Sequence, residues 1–384
     1  MLRIRNLFNF GRNDKTTNYR VTVSGIIKKT GKVLYVDILK REDSYNSEET
    51  FTATAEEVSG YKLLSTEDPV KTCTVTNKSI TSKSGRITFY YEEAKVEIVQ
   101  DPVTLDLRND KIVLVSGSGG LKGAFEVGCY KYFEEIGILD QFDGYVGTSI
   151  GSINTAGLMC MTMDELENLW LNIKQTDIYN GELTSIENKQ LDELMQKLLA
   201  DKNYGDLMII LVAVMNQFNG TGCLDNSPLK EFLNKKLDLD AIYANPNDFA
   251  LCTLNLKTLK REVYSKANTP KEDFVERIME SSSAFPVFPL RDYKGGKYID
   301  GGFYPSAHNY DVAFDNLGAT KAVVIDILAY QPSEEAINDP NTIYIYAEAG
   351  TIGSFLDMSD IPGAIQVGYN AAKKAFQESV NIIK

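Results

Sequence analysis

A serine stands at a sharp boundary between an apolar strand pattern and the start of a helix. The strand pattern ends in Tyr145-Val146, the next residues are Gly147-Thr148-Ser149-Ile150-Gly151, and small residues follow over 152–158. A serine in such a strand-to-helix turn adopts a strained backbone, and glycines on both sides relieve steric clashes. Its hydroxyl projects at a helix N-terminus, where N–H groups stabilise negative charge. Residues 147–151, called the elbow below, therefore favour an α/β fold with Ser149 as a candidate nucleophile.

The chain after residue 107 alternates apolar strand patterns with helical ones, as is typical of an α/β domain with a mostly parallel sheet. We predict a catalytic domain over residues 108–384, in which helices flank this central sheet. Strand patterns cover residues 111–115, 249–254, 322–328 and 342–346, and a further strand ends near residue 146. Helical patterns cover residues 124–136, 163–173, 227–237 and 362–383.

The residues before this domain have a different character. Residues 18–102 contain runs in which apolar and polar residues alternate, such as Tyr19, Val21 and Val23, and this pattern predicts a small antiparallel, β-rich accessory module. Residues 1–17 form a tail of mixed basic and apolar residues, which is typical either of contact with a membrane surface or of a frayed terminus. We expect the module to bind a regulatory partner or a second copy of the chain.

Composition limits the partners and the location of the chain. The 384 residues carry a formal net charge of −13 at pH 7, so nucleic acid, which needs a basic surface, is not an expected partner. Five cysteines without a CxxC pair indicate no metal site and are typical of reduced thiols in a cytoplasmic protein. The longest apolar run, residues 207–215, is too short to span a bilayer. It predicts a core helix or part of a cap that lines an acyl-chain channel.

A glycine-rich segment, Gly117-Ser118-Gly119-Gly120-Leu121-Lys122-Gly123, directly follows the first strand pattern of the predicted domain. Such a turn presents free N–H groups to an anion, either a dinucleotide pyrophosphate or the oxyanion of an acyl tetrahedral intermediate. The nucleotide fingerprint G-x-G-x-x-G is not met, because the third glycine comes one position late. A P-loop would need Ser or Thr after Lys122, where the chain has Gly123.

The catalytic partner of Ser149 has to come from another part of the chain. Asp300 ends a strand-like run and is followed by Gly301 and Gly302, a pattern that is also typical of a plain turn. His308 is the only histidine in the sequence. A Ser-His-Asp triad would therefore have to use His308, and otherwise a carboxylate itself must accept the Ser149 proton.

Three motifs occur in an order and spacing that resemble the patatin-like phospholipase family. They are SGGLKG at 118–123, the elbow GTSIG, and DGG at 300–302. Two further segments agree with the family pattern, SSSAFPVFP at 281–289 and LDNSPL at 224–229, so that the resemblance covers residues 110–375. Two positions depart from it: the first of three family glycines is Ser118, and the run after Gly302 differs.

The resemblance implies a Ser–Asp dyad that needs neither histidine nor a metal or organic cofactor. Ser149 would attack an ester carbonyl, while Asp300 would accept its proton and later activate water. Gly301 and Gly302 would let the backbone pack against the elbow. The oxyanion loop would consist of Ser118, Gly119, Gly120, Lys122 and Gly123.

The implied function is hydrolysis of the acyl esters of phospholipids or lysophospholipids by a cytoplasmic protein that acts at a lipid or membrane surface. Two alternatives remain open. The first is an α/β-hydrolase esterase with a triad of Ser149, His308 and an aspartate. The second is a non-enzymatic module whose glycine-rich loop holds an anion or a nucleotide.

Overall fold

The structure is a computed structural model in which the chain divides into two units, Met1–Glu97 and Ile98–Lys384. Residues 1–16 of the predicted tail and the apolar run at 207–215 lie outside the described residues. The described residues are 17–29, 31, 33–43, 48–58, 61–76, 83–93, 100–183, 187, 191, 195, 221–304, 308–328, 333–348 and 350–384.

The first unit is β-rich, as predicted. Its strands are β1 (Thr17–Ile27), β2 (Val33–Asp43), β3 (Glu48–Thr54), β4 (Tyr61–Leu63), β5 (Val70–Thr76) and β6 (Lys83–Glu93). One sheet has the order β2-β1-β6-β4, and β3 pairs with β5 in a second sheet. The alternation in β1 buries Tyr19, Val21 and Val23. The prediction of a purely antiparallel module is wrong, because β1 and β6 pair in parallel. The long stretch of chain between them allows β6 to return in the direction of β1.

The second unit is built on an eight-stranded sheet, which confirms the predicted α/β fold. Its strands, after an outlying β7 (Val103–Asp106), are β8 (Ile112–Ser116), β9 (Gly144–Thr148), β10 (Asp248–Asn255), β11 (Lys260–Ser265), β12 (Arg291–Tyr293), β13 (Gly296–Asp300), β14 (Lys321–Asp326) and β15 (Thr342–Tyr346). The order is β12-β13-β10-β9-β8-β14-β15, with β11 paired to β10. Strands β8, β9, β10, β14 and β15 form the parallel part, and the other three strands add to it by antiparallel pairing.

The helices that are described in full in this unit lie between the strands, in agreement with the predicted alternation. They are α1 (Ala124–Glu135), α2 (Ile150–Leu158), α3 (Met163–Asn172), α4 (Gln175–Ile178), α5 (Ser227–Lys236), α6 (Leu239–Ala244), α7 (Phe274–Ser281), α8 (Asp311–Asp315), α9 (Glu334–Asn338) and α10 (Ile361–Ser379). The predicted helix 362–383 ends early, because its β-branched end forms β16 (Val380–Ile383), which pairs with β7. Within the described ranges, no helix has the length and apolar character needed to cross a membrane.

Candidate active site

Two strands bring Ser149 and Asp300 together by meeting head to head along one edge of β10. Strand β9 pairs in parallel with β10 and ends with Thr148 opposite Cys252. Strand β13 pairs with the next part of β10 in the antiparallel direction and ends with Asp300 opposite Thr253. Because Cys252 and Thr253 are neighbours, the residue that follows Thr148 lies beside the end of β13. This sheet register places the serine of the elbow next to the aspartate of the DGG turn.

The elbow has the strained geometry that its sequence predicts. Ser149 adopts φ 56° and ψ −123°, a region that residues with a side chain rarely occupy, and its side chain is buried. The flanking glycines are required for space: a Cβ atom at Gly147 would lie 2.4 Å from the Ser152 Cα, and one at Gly151 would lie 2.2 Å from the Ser116 carbonyl oxygen. The turn therefore leaves no room for a side chain at Gly147 or at Gly151.

Ser281, at the end of α7, holds this strained turn in place. Its Oγ accepts a hydrogen bond from the Ser149 N–H at 2.9 Å and donates one to the Cys252 carbonyl oxygen at 2.7 Å. The Ser281 side chain is fully buried. It therefore connects the backbone of the nucleophile to the strand that also carries the Asp300 pairing.

Asp300 is 1% exposed, and its two oxygens have different environments. Oδ1 accepts hydrogen bonds from the Gly302 N–H at 2.7 Å and from the Ser118 hydroxyl at 3.2 Å. Oδ2 is buried without a hydrogen-bond partner among the described residues. Burial raises the pKa of Asp300 to about 7, against the opposing effects of the Ser149 hydroxyl, the Gly302 N–H and the Ser118 hydroxyl. A carboxylate with this pKa and one free oxygen is suited to accept a proton near neutral pH.

The glycine-rich segment lies against the elbow. The Gly151 N–H donates to the Gly117 carbonyl oxygen at 3.2 Å. A Cβ atom at Gly123 would lie 2.4 Å from the Ile150 side chain. Gly120, with φ 61°, opens a short 3-10 helix over Gly120–Gly123 that leads into α1. N–H groups at the start of a helix have no partner within it and are donors of the kind that bind an anion, but the N–H of Leu121 is bound to a carbonyl oxygen elsewhere in the chain.

The other loop residues are also packed into the structure. A Cβ atom at Gly119 would lie 2.6 Å from the Ile327 side chain, so the loop backbone approaches the end of β14 closely. The Lys122 side chain is buried. The Leu121 N–H donates to the Phe355 carbonyl oxygen at 2.9 Å. This hydrogen bond attaches the glycine-rich segment to the residues that precede α10.

A cavity opens beside Ser149. It follows one face of α2, where Ile150, Ile153 and Gly157 recur at helical spacing, and its other walls come from α3, α5 and the segment before α10. The walls are almost entirely apolar, as is typical of sites that bind apolar ligands. The further lining residues include Met161, Leu166, Trp170, Leu229, Phe232, Leu233, Phe288, Phe355 and Leu356.

The sequence matches the patatin-like phospholipases over residues 114–314, which is just over half of the chain. The chain belongs to the patatin-like phospholipase family. Membership of this family indicates a lipid acyl hydrolase in general terms. A comparison with curated protein sequences finds no significant match.

Several solved structures are similar to this patatin-like chain at low identity. VipD from Legionella pneumophila is 15% identical with a TM-score of 0.44, and the match covers 75% of this chain and 71% of VipD. The type III effector ExoU of Pseudomonas aeruginosa is 14% identical with a TM-score of 0.35, over 70% of this chain and 53% of ExoU. This chain thus spans about half the length of ExoU. A MucBP domain of the Lactobacillus acidophilus protein LBA1460 is 14% identical with a TM-score of 0.14, over 21% of this chain and 93% of that domain.

His308 packs in an aromatic cluster of the patatin-like unit. Its ring centroid lies 5.5 Å from that of Tyr310 and 5.9 Å from that of Tyr344, and its side chain is buried. Tyr344 in turn donates a hydrogen bond to Asp326. The side-chain groups that set the pKa of Asp300 are those of Ser149 and Ser118. The ring contacts of His308 are thus with tyrosines, whereas the Asp300 carboxylate is held by the Gly302 N–H and the Ser118 hydroxyl.

Sequence reasoning missed two residues that hold the site together. The sequence pattern includes Ser281 only as part of the segment 281–289 and gives it no role of its own. Asn309, with φ 53°, donates from Nδ2 to the Thr148 Oγ1 at 3.0 Å and to the Gly301 carbonyl oxygen at 3.3 Å. It therefore ties the end of β9 to the DGG turn. The available signal was an asparagine within ten residues after this turn, where the residue can adopt a positive φ more readily than most.

Proposed function

We propose that the chain hydrolyses the acyl esters of phospholipids or lysophospholipids through a Ser149 acyl-enzyme, with Asp300 as the general base. The observation that carries this proposal is the asymmetry of the buried Asp300 carboxylate beside the strained Ser149. One oxygen is held by two donors and the other has no partner among the described residues. A base that is fixed in orientation yet free to accept a proton is what an activated serine needs.

The proposed reaction has two steps. In the first, the Ser149 Oγ bonds to the carbonyl carbon while its proton passes to the Asp300 Oδ2, and the alcohol leaves with that proton. In the second, water adds to the acyl-enzyme, Asp300 accepts a water proton and returns it to the Ser149 Oγ, and the fatty acid departs. The N–H groups around Gly119 and Gly120 would stabilise the oxyanion of both tetrahedral intermediates, and the buried Lys122 would add positive potential.

The apolar cavity supports a lipid substrate. It begins at Ser149 and follows α2, so that an acyl chain whose carbonyl is at the nucleophile would lie against Ile150, Ile153 and Gly157. Each buried methylene of such a chain contributes about 0.8 kcal/mol. Because the accessible surface of this wall is almost entirely apolar, it favours hydrocarbon over a polar acyl group.

Membrane recruitment by the tail over residues 1–17, and binding of a regulatory partner or a second copy by the β-rich module, stay predictions. The same holds for a cytoplasmic location. The tail and the module would bring the catalytic unit to the surface of the lipid that it is proposed to hydrolyse.

The proposal is tested by fatty acid release from mixed micelles that contain either a diacyl phospholipid or a lysophospholipid. We expect Ser149→Ala and Asp300→Asn to lose activity by roughly 10⁴-fold or more, as for other residues that act as a catalytic unit. His308→Gln is the matched control, and it should retain most of the activity. Loss of activity in a folded His308→Gln variant would support the triad instead. The comparison of the two lipids separates phospholipase A from lysophospholipase activity.

A further inference from the structure

We propose that Ser118 is a positioning residue for the general base: its hydroxyl fixes the Asp300 carboxylate from the oxyanion loop and leaves the second carboxylate oxygen available to accept the nucleophile's proton. This inference rests on the proposed dyad and extends it to a side chain. The sequence pattern by itself indicates only a place for Ser118 in the oxyanion loop.

The contact is built into the interior of the protein. Ser118 is 2% exposed, and its Oγ lies 3.2 Å from the Asp300 Oδ1. A Cβ atom at Gly302 would lie 2.5 Å from both the Cβ and the Oγ of Ser118. The absence of a side chain at Gly302 is thus what gives the serine room to reach the carboxylate.

The two donors to Oδ1 come from different parts of the chain. The Gly302 N–H belongs to the DGG turn itself, and fixes the carboxylate only relative to its own backbone. The Ser118 hydroxyl belongs to the segment after β8, so it fixes the carboxylate relative to the oxyanion loop. Together they leave Oδ2 as the oxygen without a partner among the described residues. Ser118 therefore couples the position of the base to that of the N–H groups that would hold the oxyanion.

The hydroxyl also favours the reactive charge state. A donor to a carboxylate stabilises its ionised form, and the Ser118 hydroxyl lowers the pKa of Asp300 against the larger effect of burial. Asp300 must be ionised to accept the Ser149 proton. Loss of the hydroxyl should thus move the acid limb of the pH–rate profile to higher pH.

The test compares Ser118→Ala, Ser118→Thr and Ser116→Ala in the full chain. Ser116→Ala is the matched control, because it removes a buried hydroxyl only two residues away, at the end of β8. This hydroxyl lies 2.6 Å from the Tyr130 hydroxyl, with which it forms a hydrogen bond, and not beside Asp300. The measurement is kcat/KM for a neutral aryl ester between pH 5.5 and 9.5. We expect Ser118→Ala to lose more activity at pH 6 than at pH 9, because its acid limb moves to higher pH. Ser118→Thr, which keeps the hydroxyl, should restore the wild-type limb.

An acid limb that stays in place in Ser118→Ala, or that moves equally in Ser116→Ala, would overturn the proposal. A second readout does not depend on turnover. The pH dependence of the unfolding temperature, compared between Asp300 and Asp300→Asn chains, reports when Asp300 ionises. This transition should move to higher pH in the Ser118→Ala background. If the wild type hydrolyses no ester, the proposed function fails, and the unfolding titration still decides whether Ser118 holds the Asp300 carboxylate.

Discussion

Replacing Asp300 by asparagine should stabilise the catalytic unit at alkaline pH relative to acidic pH. Burial raises the folded-state pKa of Asp300 to about 7 from an ordinary value of 3.8. Between these two values the folded chain keeps a proton that the unfolded chain has released, so that wild-type stability falls as the pH rises through this window and levels off above pH 7. Asparagine does not titrate. The advantage of the variant therefore grows with pH by about 1.4 kcal/mol per unit within the window.

The comparison is best made at pH 5.5 and pH 8.5. The 1.5 units between pH 5.5 and the folded pKa correspond to a change of about 2 kcal/mol in the difference between the two unfolding free energies. For a unit of this size, such a change is worth roughly 4–8 °C in the unfolding midpoint. Any fixed cost of the amide, such as an unpaired N–H in the Oδ2 position, cancels because it is the same at both pH values.

The assay is thermal unfolding followed by circular dichroism, with wild type and Asp300→Asn at both pH values. Asp311→Asn serves as a control, because this carboxylate pairs with Arg261 and is partly exposed, and it should not reproduce the Asp300 trend across the same pH interval. A midpoint difference that stays constant from pH 5.5 to 8.5 would refute the argument that Asp300 is a buried, weakly acidic base.

Two further predictions concern groups that support the nucleophile and the substrate. Ser281→Ala removes the acceptor that holds the Ser149 N–H. With a soluble ester as substrate, we expect kcat to fall at least tenfold with little change in KM. An unchanged kcat would show that the elbow keeps its geometry without this hydrogen bond. Gly157→Leu places a side chain in the cavity eight residues beyond Ser149, about 12 Å along α2. The kcat/KM for esters of long acyl chains should fall by about fourfold for each methylene that the leucine excludes, while the kcat/KM for butyrate esters should not change. Equal losses for short and long chains would place the acyl chain outside this cavity.

The sequence predicts correctly those parts of the fold that are determined by residues close together along the chain. The elbow could be predicted because a strand, a serine between glycines and a helix start follow each other within a few residues. Helices α1, α3 and α5 follow from apolar periodicity and end within a residue or so of their predicted bounds. The β-rich character of the first unit came from alternation in β1, but alternation does not encode strand direction, so the parallel pairing of β1 with β6 was missed.

The rest of the site depends on contacts between residues that are far apart in the sequence. That β9 and β13 meet end to end on β10 is set by sheet register, which no local pattern reports. Ser281 and Asn309 act through hydrogen bonds to backbone and side-chain atoms of the elbow, and serines and asparagines of this kind are common in loops. The side-chain role proposed for Ser118 could not be predicted, because a glycine-rich pattern indicates backbone N–H donors and does not indicate a side-chain contact with a distant aspartate.

The central claim is that Ser149 is activated by Asp300 without histidine. The most direct test is covalent labelling with a fluorophosphonate, which reacts with activated serines, followed by peptide mapping of wild type, Asp300→Asn and His308→Gln. We predict a single labelled serine, Ser149, in the wild type and in His308→Gln, and strongly reduced labelling in Asp300→Asn. Labelling that persists in Asp300→Asn but disappears in a folded His308→Gln variant would contradict the account.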